Sequence, residues 1–171
     1  AMRREGGLRG ELRQQHPRRL RRILRRGRDH AEIGEDRRGA RAGVLERQDV
    51  AALGACYADD CVVVSPIFHT LHGRSQVERS YLDLFEAFTH QKVQVEDTII
   101  SPETPPRAVI VWTVQSTHVG EIFGVAASGK RIERRVAYIL TLRDGRIVKE
   151  LRMYDFTNML MQLGVLRAKP A

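Results

Sequence analysis

Asp155 stands between an alternating run, residues 146–154, and an apolar tail that reads FTNMLMQLG. If the run is a strand, unbroken two-residue alternation puts Ile147, Lys149, Leu151, Met153 and Asp155 on one face. Val148, Glu150, Arg152 and Tyr154 then lie on the other. The first face is the more apolar, so Asp155 is expected at the rim of a pocket. There the charged form of a carboxyl group is desolvated, which raises its pKa toward the range where it can exchange protons. Asp155 also opens the final helical stretch, where Asp is a preferred N-cap; the two roles are compatible. His118 is the second proton-handling candidate. It shares strand parity with Ile110, Trp112, Val114 and Ser116. An imidazole beside Trp112 can orient a carbonyl or share a proton with Asp155, or it can simply be satisfied inside a structural pocket.

Trp112, Tyr138, Met153, Phe123, His69 and Tyr57 are the expected walls of an apolar cavity, although side chains of these types also make ordinary core. His69 and His72 are three apart with no third ligand at suitable spacing, so no metal site is expected. Arg134-Arg135 reads as a solvated or interface pair, and residues 121–124, between two long strands, as a flap over the pocket mouth. Cys56 and Cys61 read as small buried hydrophobes. No Gly-rich phosphate loop, nucleophile elbow or Cys/His pair occurs.

One domain must position these groups, since 171 residues suffice for a single real core. No apolar run approaches the roughly 18 residues of a membrane span, and a cytoplasmic protein is the expectation. The net charge of +8 is localised. Residues 1–45 hold 14 Arg, no Lys and six acidic residues, a net of +8, while residues 46–171 are balanced. The balanced body offers no footprint for nucleic acid. The division expected is an Arg-rich extension over 1–30 and an α+β domain over 31–171. Three readings of the extension stay open: a basic tail for nucleic acid or anionic lipid, a docking segment for a partner subunit, or an accidental extension translated from an Arg-biased upstream region.

Within the body, Ala40, Val44 and Leu45, then Val50, Leu53 and Tyr57, recur at helical steps, with Asp49 placed as a cap and Asp59-Asp60 as a breaker. Cys61-Val62-Val63-Val64 reads as a strand, and residues 69–73 as a short strand and turn. Val77, Tyr81, Leu84, Phe85 and Phe88 mark a long amphipathic helix. Strands are predicted over 92–101, 107–120, 131–142 and 146–155, with Asp144-Gly145 as a hairpin turn. A short helix through Met159, Leu160 and Leu163 is stopped by Gly164. Strands so segregated from helices argue for α+β: helices covering a curved antiparallel sheet, as a cone with a pocket inside.

This order resembles the SnoaL-like polyketide cyclases and ester cyclases of the nuclear-transport-factor-two-like superfamily. The matching stretches are Arg47-Gln48-Asp49-Val50, Tyr57-Ala58-Asp59-Asp60, Gly73, Ser116-Thr117-His118-Val119-Gly120, Gly129-Lys130-Arg131-Ile132, Asp144-Gly145-Arg146-Ile147-Val148, Tyr154-Asp155 and Leu160-Met161-Gln162-Leu163-Gly164. They cover about residues 40–166. The resemblance implies a cone-shaped fold, usually a homodimer, with no metal or organic cofactor. It also implies a small hydrophobic carbonyl-bearing ligand, with Asp155 as acid/base in an intramolecular aldol ring closure. The cyclases add a His on the preceding strand, whereas residues 131–142 contain none, and Thr141 or Tyr138 stands nearest. The alternative is a binding or dimerisation module of the same fold without turnover.

Overall fold

The computed structural model describes residues 41–101 and 104–167; the Arg-rich segment 1–30 lies outside the described residues. A helical segment, α1 (41–46), is followed by α2 (Val50–Ala55), β1 (Tyr57–Ser65), β2 (His69–His72) and α3 (Arg74–Ala87). Four long strands then run as β3 (Phe88–Ser101), β4 (Arg107–His118), β5 (Arg131–Arg143) and β6 (Arg146–Tyr154), and α4 (Phe156–Leu163) ends the fold. The six strands form one open mixed sheet in the order β2-β1-β6-β5-β4-β3. All neighbours are antiparallel except β1 and β6, which pair in parallel. The fold is thus the expected α+β cone, with one parallel pairing that the antiparallel meander did not anticipate. Among the described residues no helix is long and apolar enough to cross a membrane.

Local chemistry explains most boundaries. Asp49 caps α2 by accepting from the Ala52 N–H at 2.9 Å, and Asp155 caps α4 by accepting from Asn158 N–H at 2.8 Å. Gly164 ends α4 in the left-handed conformation, φ +85°. Asp144 and Gly145 both have positive φ, the pattern of a two-residue hairpin turn. Two boundaries differ from expectation. Tyr57 belongs to β1, not to a helix, because α2 ends at Ala55 and the strand runs on through Asp59-Asp60. Phe88 is extended and opens β3, opposite His118.

The inward faces of β4 and β5 alternate without interruption: Ile110, Trp112, Val114, Ser116 and His118 on one, Ile132, Arg134, Val136, Tyr138 and Leu140 on the other. β6 does not. Leu142 pairs with Ile147, yet Thr141 pairs with Lys149, so Val148 is an extra residue on β6. Such a bulge reverses the faces of everything beyond it. Ile147 points inward as expected, but Glu150 and Arg152 are then the buried residues, and Leu151 and Met153 are exposed. The apolar-in reading of β6 is therefore corrected from Lys149 onward.

Candidate functional site

A cavity of about 40 Å³ opens between the helices and the sheet. Leu45 of α1 and Leu84 of α3 line it from one side, with Ile67 and Phe68 from the turn between β1 and β2. Ser65, Gln91, Val114, Arg134, Val136, Tyr138, Arg152 and Tyr154 reach it from five strands. It has an apolar lining and a cationic, phenolic one.

Behind the cationic lining lies a buried network. The Glu150 carboxylate, with no side-chain exposure, accepts from Arg152 Nε at 2.6 Å through Oε1. Through Oε2 it accepts from Arg41 Nη2 at 3.0 Å and from the Tyr57 hydroxyl at 2.7 Å. Burial alone would push the Glu150 carboxyl up, but Arg152, Arg41 and the Tyr57 hydroxyl outweigh it and hold it below the usual carboxylate range. Glu150 is thus an ionised anchor that fixes Arg152. The guanidinium planes rest on rings: Arg152 over Tyr81 at 4.8 Å and Tyr138 at 5.6 Å, and Arg134 over Phe88 at 4.8 Å. Arg134 also donates from Nη2 to Ser116 Oγ at 3.2 Å. Stacked in this way, both cations are held rigid and keep donor edges to spare. Burial pushes the Tyr138 and Tyr154 phenols well up and up respectively, so both stay protonated near neutrality. The Tyr154 hydroxyl lies 3.4 Å from Ser65 Oγ.

Of the residues singled out from the sequence, Tyr138 lines the cavity. Asp155 does not: one position beyond Tyr154 on the re-phased strand, it is exposed and acts as the α4 cap. His118 is fully buried outside the lining, its ring 5.1 Å from that of Phe88. Its Nδ1 accepts from Ser128 N–H at 3.2 Å, which leaves the proton on Nε2. Burial lowers its pKa. Trp112 and Tyr57 are buried behind the cavity, Trp112 edge-on to Tyr138 at 4.8 Å. Met153 and Phe123 are each about half exposed, and His69 is exposed, so none of the three walls the space. Phe123 meets the lining residue Phe68 edge-on, with ring centroids 5.5 Å apart. Among the described residues no three His, Cys, Asp or Glu side chains group as metal ligands.

Arg41, Gln91, Arg134, Glu150, Arg152 and Tyr154 are the site residues that sequence reasoning missed. A signal for Arg134 was present, since strict alternation from Ile132 to Leu140 puts it on the buried face. Its reading as half of a solvated pair is corrected; Arg135 alone is outside, paired with Glu96 at 2.8 Å. For Glu150 and Arg152 the alternation pointed the wrong way, because the bulge is not written in the hydrophobic pattern.

The profile of the SnoaL-like polyketide cyclase family matches residues 35–163. No functionally curated protein matches the sequence. Among solved structures the chain is similar to TsrD from Streptomyces laurentii, at 20% identity and a TM-score of 0.64, over 73% of this chain and 90% of that one. It is similar to AclR from Streptomyces galilaeus, a candidate hydroxylase, at 23% and 0.63 over 75% and 83%. Wild-type IdmH from Streptomyces antibioticus, a candidate polyketide cyclase, matches at 23% and 0.61 over 76% and 97%. At these identities the likeness is one of fold.

Proposed function

The chain belongs to the SnoaL-like polyketide cyclase family, and from that premise we propose that its cavity takes a small, largely apolar, carbonyl-bearing molecule and promotes cyclisation or isomerisation through an enolate, with no cofactor required. The observation that supports this reading is the lining, in which Phe68, Leu84, Val114 and Val136 share one space with Arg134, Arg152, Tyr138 and Tyr154. In an aldol ring closure a C–H between two carbonyls loses its proton, the enolate carbon attacks a second carbonyl of the same molecule, and the new alkoxide takes up a proton. Arg134 and Arg152 supply fixed positive charge where the enolate oxygen develops negative charge. The Tyr138 and Tyr154 phenols, kept protonated by burial, donate to the alkoxide. Among the described residues no carboxylate lines the cavity. The departing proton therefore goes to water, which suffices for a methylene flanked by two carbonyls once cations hold its enolate.

The test is deuterium exchange at the central methylene of acetylacetone in D2O, followed by NMR. The expected result is exchange faster than in buffer, a loss of roughly 10²-fold in Arg134→Gln, and an unchanged rate in Asp155→Asn. An Asp155→Asn loss with Arg134→Gln unaffected would return the acid/base role to Asp155. No acceleration over buffer would leave the second reading, a binding or dimerisation module. That reading is favoured by the solvent-facing Asp155 and by an exposed apolar stripe of Val64, Leu151 and Met153. The stripe also supports the homodimer that we propose for either case.

A further inference from the structure

Among the described residues, three buried guanidiniums, those of Arg41, Arg134 and Arg152, share a single buried carboxylate, Glu150. Glu150 compensates Arg41 and Arg152 by direct ion pairs. Arg134, only 9% exposed, has no carboxylate partner among the described residues; its one polar contact is the neutral Ser116 hydroxyl. A buried cation without a counter-charge is costly, and a fold that retains one has a use for it.

Three of the buried spare donors meet at the cavity. Arg134 Nε, Arg152 Nη2 and Gln91 Nε2 are all buried and without a partner among the described residues, and all three side chains line the same space. They come from β5, β6 and β3 and are each at least nine-tenths buried. Orphan donors of this kind are rare in folded proteins. Stacking on Phe88 and Tyr81 covers the guanidinium planes, so the free edges are what remain for a ligand. Unpartnered donors and a buried positive charge with no carboxylate beside it among the described residues describe the complement of an anion.

Resting on the reading that this cavity is the ligand site, we infer that its ligand carries a carboxylate, seated against Arg134, Arg152 and Gln91, with its apolar body toward Leu84 and Val114. A carboxylate has two oxygens with about four acceptor sites, which matches three donors. It also supplies the negative charge that Arg134 lacks. Water answers the first need but not the second. The space of about 40 Å³ accommodates a head group of this size, so the remainder of a larger ligand extends beyond it.

A matched pair of probes separates charge from carbonyl chemistry: acetoacetate and methyl acetoacetate have the same ketone and methylene and differ in the negative charge. Binding is measured by NMR line shape and by thermal unfolding, with sodium chloride and inorganic phosphate as controls at equal ionic strength. The expected result is that acetoacetate binds at least about tenfold more tightly than the ester. That preference disappears in Arg134→Gln and survives in Arg134→Lys, both variants being checked for native circular dichroism. Equal binding of ester and acid overturns this inference and leaves the ligand-site reading standing. Equal stabilisation by chloride or phosphate overturns it too, by showing a hole for an inorganic ion only. If neither probe binds, the cavity reading and the inference fall together.

Discussion

Replacing Glu150 by Gln keeps the shape of the side chain and removes the only negative charge in the buried network. In the wild type that carboxylate receives Arg152 Nε at 2.6 Å, Tyr57 OH at 2.7 Å and Arg41 Nη2 at 3.0 Å. After the substitution three buried guanidiniums have no counter-charge among the described residues, and an amide N–H₂ points at one of them. Removing one partner from a buried ion pair costs about 3–5 kcal/mol. A domain of this size has about 5–15 kcal/mol in total, so Glu150→Gln takes a large share of it, and the melting temperature drops by roughly 10–15 °C. Guanidinium chloride unfolding of both proteins at pH 7 measures the difference. The pH profile provides a second arm. Because the Glu150 pKa is depressed in the fold, its contribution is complete above the unfolded value, about 4.3, and is lost as pH falls through the lower folded value. The wild type therefore loses this increment in acid, below about pH 4, and Glu150→Gln does not have it to lose. A cost under about 1 kcal/mol at pH 7, or the same acid loss in both proteins, would refute the picture of a desolvated network.

The depressed pKa of buried His118 works in the same sense at a different pH. Its contribution is full above the unfolded value near 6.5 and is lost as pH falls through the folded one, so its NMR titration midpoint should lie below 6.5; a midpoint at or above that value contradicts the burial argument. Leu151→Glu places a charge on the exposed stripe, where Leu151 is 40% and Met153 51% exposed. Light scattering should show a wild-type dimer and a variant monomer, and a monomeric wild type ends the dimer proposal. Gly120→Ala drives a Cβ into the Glu86 carbonyl oxygen, where α3 gives way to β3. Overpacking of this kind costs about 1–3 kcal/mol, and an unfolding curve superposable on wild type would show that the backbone yields freely there.

What was legible in the chain is what short-range physics writes there. Period-two alternation in 107–118 put Ile110, Trp112, Val114, Ser116 and His118 on one face of β4, the face the structure buries, whereas the same alternation in 131–140 went unread and Arg134 was taken as solvated. The caps at Asp49 and Asp155, the Asp144-Gly145 turn and the stop at Gly164 are all decided by groups within a few residues of one another. The same logic misjudged β6. Its alternation is broken by one extra residue, Val148, and a bulge is a choice of register made with the neighbouring strands β1 and β5.

The sequence by itself determined the α+β order, the family and a balanced domain behind an Arg-rich start. Tertiary structure alone decided where the chemistry sits. Arg41 reaches Tyr57, Tyr81 and Glu150 across separations of 16, 40 and 109 residues. A charged side chain reads as exposed in any local pattern, because an isolated buried charge is too costly to expect. Only the folded partners make that burial tolerable, and among the described residues they leave Arg134, Arg152 and Gln91 with donor atoms unpartnered beside the cavity.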